Sequence, residues 1–145
     1  MGPAGAQPYT SEFQAGLEYR PGLQPARPYR TLKRILVIDD DTDVSSRLSA
    51  MGFEVISVWG GEVGLKVLTM TSVCGIVLNV DVPAAGAWAM LDQLHARDVH
   101  IPVMVMATNA GRLNLVRALE NGATDYVITP VNHSLLSQKC ARLFE

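Results

Sequence analysis

Five short apolar runs recur along the chain from residue 33 onward, and each is followed by a longer stretch of mixed polarity. The runs are residues 35–38, 55–58, 76–80, 103–107 and 126–128. Nearly continuous apolar runs of this length are typical of strands in a parallel sheet that is covered on both faces. We therefore predict five buried parallel strands.

The stretches between these runs carry apolar residues at helical spacing. They include Val44, Leu48 and Met51; Gly64, Leu65 and Leu68; Met90, Leu91 and Leu94; Leu115, Ala118 and Leu119; and Leu135, Leu136 and Leu143. Gly52 and the pair Asn121-Gly122 are expected to end the first and fourth helices. The pattern predicts an α/β fold, a doubly wound (βα)5 domain that binds ligands at the carboxyl ends of its strands.

Residues 1–31 differ from the rest of the chain because they lack periodic apolar positions. They contain five prolines, at positions 3, 8, 21, 25 and 28. This composition predicts a disordered, Pro/Gly-rich tail, followed by one folded domain over residues 32–145. The aromatic residues of the tail are alternative docking anchors.

Composition and charge exclude several functional classes. Apolar residues make up 48% of the chain, and the formal net charge is −2, which gives no reason to expect nucleic acid or an anionic membrane as partner. The apolar runs are too short to span a bilayer, and we see no signal-peptide pattern. Cys74 and Cys140 have no metal-ligand spacing, so we expect a reduced, cytoplasmic protein.

Polar residues follow four of the predicted strands. Asp39 and Asp40 follow the first, and Asn79 ends the third, with Asp81 close behind. The fourth strand ends in Ala107-Thr108 and the fifth in Thr129-Pro130. Two parallel strands that end in acids commonly build a cation site at the edge of a sheet, but here one of them ends in an amide.

Four stretches carry a family resemblance. They are residues 35–41 (ILVIDDD), 78–83 (LNVDVP), 101–106 (IPVMVM) and 118–130 (ALENGATDYVITP). Over residues 33–145 the chain resembles the receiver domain of two-component response regulators, the CheY-like branch of the flavodoxin-like folds. In that family a histidine kinase phosphorylates an aspartate at the end of the third strand.

The resemblance implies a role for each strand-end residue. Asn79 falls on the phospho-acceptor, as Pro83 four residues later indicates. Asp39 and Asp40 match the acid pair that binds Mg²⁺ together with the backbone carbonyl at Asp81. Ala107 falls on the hydroxyl that contacts the phosphoryl group, and Thr129 falls on the lysine that neutralises it.

Three of these working residues are replaced, and each replacement has a chemical consequence. An amide is a very poor nucleophile toward phosphorus, and it offers no charge to a hard cation. Without the acid at position 79, a lysine at position 129 would lack its partner. We therefore expect a stand-alone, degenerate pseudo-receiver that acts as a phosphorylation-independent protein-interaction module in phosphorelay signalling. We expect it not to be an enzyme, and to have no cofactor beyond weak, vestigial Mg²⁺ binding at Asp39, Asp40 and Asp81.

The resemblance also indicates the surfaces that partners use. The fourth helix, fifth strand and fifth helix form the family's usual output surface, which here includes Tyr126, Arg117, Arg112 and Lys139. We expect this surface to bind a signalling protein, either a histidine kinase or an output protein, or a second copy of the chain. The first helix is about one turn shorter than the family pattern, which argues against ordinary kinase docking.

Other interpretations stay open at this point. Asp81 could be a displaced phospho-acceptor, and Thr108 could replace the hydroxyl missing at Ala107. The acid run could serve only as a turn that caps the first helix, through Asp41 or Thr42. A haloacid-dehalogenase-type phosphatase is a remote alternative, because Asp43 occupies the position where such enzymes carry Thr or Val.

Overall fold

The computed structural model describes residues 33–81, 86–108 and 112–144, without the side chain of Arg112. Strands and helices alternate throughout these ranges. In chain order they are β1 Arg34–Ile38, α1 Asp43–Ala50, β2 Glu54–Val58, α2 Gly61–Met70, β3 Gly75–Asn79, α3 Ala87–Ala96, β4 Val103–Thr108, α4 Arg112–Glu120, β5 Asp125–Thr129 and α5 His133–Phe144. The predicted (βα)5 alternation is confirmed. The predicted disordered tail lies outside the described residues.

The five strands form one parallel sheet in the order β2-β1-β3-β4-β5. The strand order reverses at β1, so the carboxyl ends of β1 and β3 lie side by side at a topological switch point. In the register of the sheet, Ile38 pairs with Leu78, and Asn79 pairs with Met106 of β4. The sheet therefore brings Asp39 and Asn79 to the same edge.

Each face of the sheet is covered by its own apolar cluster. Leu36, Ile38, Leu78, Val105 and Ala107 belong to the cluster under α2, α3 and α4. Alternate residues of the same strands belong to the cluster under α1 and α5, among them Ile35, Val37, Val77, Met104 and Met106. Burial on both faces explains why the strands read as continuous apolar runs.

Glycines end two of the helices as predicted. Gly52 after α1 and Gly122 after α4 have φ angles of 100° and 99°, in the left-handed region that only glycine adopts without strain. The first helix spans 8 residues. No helix within the described residues is long and apolar enough to cross a membrane.

Two predicted inward-facing leucines are exposed instead. Leu119 is 43% exposed, because Leu115 and Ala118 of the same helix take the inward positions. Leu135 is 42% exposed, since adjacent helical residues point about 100° apart and Leu136 takes the inward position.

Candidate functional site

A buried acid and an amide meet at the carboxyl edge of the sheet. Asp39 directly follows β1 and is 3% exposed, and Asn79 is the last residue of β3. The Asn79 side chain donates a hydrogen bond from Nδ2 to Oδ1 of Asp39, at 3.0 Å. The backbone N–H of Asp40 donates to the same oxygen, at 2.8 Å.

These contacts set the protonation of Asp39. Burial raises the pKa of Asp39, and the hydrogen bond from Asn79 opposes that shift without cancelling it. Repulsion from the nearby Asp40 charge also raises the pKa of Asp39, and it is the smallest of these effects. Asp39 is therefore a carboxyl group whose ionised form is disfavoured, and its side-chain partner is a neutral amide.

The other end of the Asn79 amide is also occupied. Its Oδ1 accepts a hydrogen bond from the backbone N–H of Asp81, at 2.9 Å. The Asp81 carboxylate in turn accepts from the backbone N–H of Thr108, at 2.5 Å. A chain of hydrogen bonds thus runs from the end of β1 through β3 to the end of β4. We call Asp39, Asn79, Asp81 and Thr108 the edge network.

The remaining acids of the run after β1 have other roles. Asp40 is exposed, and the Asp41 carboxylate accepts from the backbone N–H of Asp43, at the start of α1. Asp43 pairs with Arg47 one turn later. The capping role considered for Asp41 is thus present, while Thr42 makes no side-chain cap. In the part of the chain that the structure describes, no group of three or more acidic, His or Cys side chains is placed to hold a metal ion.

Ala107 and Thr129 lie at the carboxyl ends of β4 and β5, on the same edge of the sheet. Ala107 is fully buried within the apolar cluster under α2, α3 and α4. Thr129 ends β5, in register with Thr108, and is half-buried. Thr108 lies on the opposite face of β4 from Ala107, and its contact with the edge network is made by the backbone N–H.

A second acid, which is half-buried, lies at the opposite end of the sheet and was not predicted from the sequence. The Asp125 carboxylate, at the start of β5, contacts Lys139 Nζ at 3.0 Å and Arg142 at 2.8 Å. Burial alone would raise the pKa of Asp125, but hydrogen bonds from the Tyr126 N–H, Lys139 and Arg142 lower it overall. We call Asp125, Lys139 and Arg142 the anchor cluster. The spacing of Lys139 and Arg142, one helical turn apart, is the signal that could have found it.

The anchor cluster engages one of the cations assigned to the output surface. Lys139 Nζ also donates to the backbone carbonyl of Tyr126 and lies 4.5 Å from the centre of its ring. Arg117 likewise makes a contact within the same domain: its guanidinium carbon lies 4.1 Å from the centre of the Trp88 ring, so the pair joins α4 to α3. The side chain of Arg112 is outside the described residues.

The surface formed by α4, β5 and α5 exposes several large apolar side chains among polar ones. Leu113 on α4 is 84% exposed. Four more large apolar side chains on these elements are at least one-third exposed: Val116, Leu119, Ile128 and Leu135. We call this set of five the output patch. Clusters of this kind are typical of protein contact sites.

Comparison with known proteins identifies the family. The sequence model of the response regulator receiver domain matches residues 35–141. The transcriptional regulatory protein PrrA of Mycobacterium leprae is 35% identical over 101 residues, which are 67% of this chain and 43% of that protein. The probable transcriptional regulator ycf27 of Cyanidium caldarium is 30% identical over 66% of this chain and 40% of its own length. The chain thus spans less than half the length of these relatives.

Solved structures agree with the fold. The receiver domain of NtrX from Brucella abortus has a TM-score of 0.68 at 22% identity, and the match covers 76% of this chain and 97% of that one. The receiver domain of the response regulator TorR has a TM-score of 0.69 at 22% identity, over 77% of this chain and 95% of that one. Together with the family match, the sheet order shows that this chain belongs to the response regulator receiver domain family of two-component systems.

Proposed function

We propose that this receiver domain acts in two-component signalling as a protein-interaction module and takes no phosphoryl group at residue 79. The observation that carries the proposal is the edge network. Asn79 is bonded through both its amide nitrogen and its amide oxygen, to Asp39 and to the Asp81 backbone. The residue at the acceptor position therefore serves as a structural bridge.

The chemistry of the bridge supports this role. A carboxylate can attack phosphorus because it carries a negative charge, whereas a neutral amide delocalises its nitrogen lone pair into the carbonyl and is a very poor nucleophile. Phosphoryl transfer also needs positive charge where negative charge develops. Both cations in the anchor cluster lie at the other end of β5, and Thr129 brings no charge to the edge.

The same geometry argues against tight Mg²⁺ binding. Mg²⁺ needs oxygen ligands with free lone pairs in octahedral array. Here the side chain of Asn79 presents N–H donors to Asp39, and the Asp81 carboxylate accepts a backbone N–H. The donor set of the edge network does not fit a hard dication, so we propose no cofactor and no enzymatic activity.

The output patch is the surface we assign to a signalling partner, either a histidine kinase or an output protein. Its side chains are apolar and exposed, while Lys139 and Arg117 are engaged within the domain. The contact is therefore expected to depend on apolar burial more than on charge.

Incubation with acetyl phosphate and Mg²⁺, followed by intact-mass measurement, tests the proposal. We expect no phosphate adduct on the wild-type chain and no release of inorganic phosphate above the rate without protein. A stable adduct, or rapid turnover of acetyl phosphate, would overturn the proposal.

A second candidate function, phosphorylation at Asp81, rests on one observation. The Asp81 carboxylate is ionisable and lies within the edge network, next to the acceptor position. The same assay on Asp81→Asn separates the two functions, because an adduct that vanishes in this variant would assign the acceptor to Asp81.

A further inference from the structure

The outer side of α2 carries large apolar side chains that contact little of the domain. Val63 and Met70 lie two helical turns apart on the same side of α2 and are 50% and 76% exposed. Trp59, two residues before α2 begins, is 75% exposed. Single exposed apolar residues are ordinary, but three along one short element form a patch.

Two opposite charges lie beside this patch in an order that suits a two-fold partner. Glu62 is in the N-terminal half of α2 and Lys66 in the C-terminal half, and both are exposed. Neither takes part in an ion pair within the ranges that the structure describes. If two copies of α2 pack antiparallel about the level of residue 64, Glu62 meets Lys66 of the partner subunit, and the symmetric contact repeats the pair.

A cavity at the end of α2 completes the match. It has a volume of about 400 Å³ and is lined in part by Leu68, Met70, Val73 and Ile101. In the same antiparallel arrangement, Trp59 of the partner subunit approaches the Met70 end of the helix. The cavity is also lined by Thr69, Thr71 and Ser72. A tryptophan that packs on the Met70 thioether, with its indole N–H toward these hydroxyl groups, is a favourable interface anchor.

We propose that this chain self-associates as a two-fold dimer through antiparallel packing of α2, with Trp59 of each copy at the Met70 cavity of the other. This surface is separate from the output patch, which stays open to a signalling partner. One helix pair is expected to bury less than the ~800 Å² per partner of a standard interface, so we expect a weak dimer that dissociates on dilution.

Sedimentation velocity of the full chain over a range up to ~0.5 mM measures this association. We expect a monomer–dimer equilibrium that weakens at least ~tenfold in Trp59→Ser and in Met70→Lys. Both side chains are exposed, so circular dichroism of the variants should match the wild type. Leu113→Lys, on the output patch, is the matched control and should leave the dimer intact.

A charge exchange tests the arrangement itself. Glu62→Lys and Lys66→Glu should each weaken the dimer, because like charges then face each other across the two-fold axis. Mixing the two variants in equal amounts should restore association as a heterodimer, since both cross-axis pairs become opposite in sign. Contacts within each helix are unchanged by mixing, so the rescue reports only the contact between copies.

Three results would overturn the proposal. They are a wild-type chain that stays monomeric over the whole range, a dimer that Leu113→Lys abolishes but Met70→Lys does not, and charge variants that fail to associate when mixed.

Discussion

Two acids at opposite ends of the sheet, the buried Asp39 and the half-buried Asp125, have different kinds of partner. Asp125, in the anchor cluster, is held by Lys139 and Arg142, and its pKa is lowered. Asp39, in the edge network, has a neutral amide as its side-chain partner, and burial raises its pKa. Among the residues that the structure describes, Lys139 and Arg142 therefore place positive charge where it stabilises the fold, and no cation contacts the edge network, where a phosphoryl group would need one.

The difference between the two acids shows how a receiver fold can be stable without an aspartate at the phospho-acceptor position. A carboxylate at position 79 would face the Asp39 carboxylate at about 3 Å, and such a pair needs a cation between its members. An amide needs no cation there, because its Nδ2 donates to Asp39 while its Oδ1 accepts from the Asp81 N–H. Asn79 can thus be understood as the residue that closes the edge network.

The largest effect should come from Asn79→Asp, which turns the bridge into a like-charge contact. We expect the free energy of unfolding at pH 7 to fall by about 3 kcal/mol, from lost hydrogen bonding and from repulsion. Urea denaturation measures it. The loss should shrink as the pH falls and one carboxyl group takes a proton; a loss that does not change with pH would contradict the repulsion.

Lys139→Met tests the anchor cluster. It leaves the Asp125 carboxylate largely buried, with only the exposed Arg142 as a cation. We expect a loss of about 2 kcal/mol, between the values for surface and fully buried ion pairs. Arg142→Met is the matched control and should cost less, because the Arg142 side chain is 69% exposed.

Arg117→Gln should have a smaller effect, because it removes only the stacking of a guanidinium on the Trp88 ring. We expect a loss of about 0.5–1 kcal/mol in the free energy of unfolding. A double-mutant cycle with Trp88→Leu checks the contact, which is confirmed if Arg117→Gln costs nothing further once the ring is gone. Additive losses would argue against it.

The pH dependence of the two acids should have opposite signs. Because the pKa of Asp125 is lowered on folding, its contribution to stability is present above its unfolded pKa and is lost as the pH falls through the folded one. Because the pKa of Asp39 is raised, its contribution is present below its unfolded pKa and is lost as the pH rises through the folded one. Carboxyl-carbon NMR titration should find Asp39 titrating above its ordinary range and Asp125 below it.

Much of the fold and half of the edge network could be predicted from the sequence. The strands were recognisable because burial on both faces makes them continuously apolar, and parallel pairing then brings Asp39 and Asn79 together. The hydrogen bonds of Asp81 could not be predicted, because they depend on how close the backbone brings Asp81 to Asn79 and to Thr108 at the end of β4.

The anchor cluster was missed for a different reason. Lys139 looked like an interaction residue, because helical position alone does not show that α5 brings it over the start of β5. Leu119 was wrongly predicted to face the core. Its helical spacing from Leu115 does not show that Leu115 and Ala118 take the inward positions of α4. Tertiary packing decides both cases.

Mg²⁺ titration of thermal unfolding, in the wild type and in Asn79→Asp, tests the central claim most directly. If the amide of Asn79 takes the place of a cation, the wild-type midpoint stays constant up to ~10 mM Mg²⁺, while Asn79→Asp is stabilised as the ion binds the folded state. A wild-type midpoint that rises as steeply as that of Asn79→Asp would contradict the account.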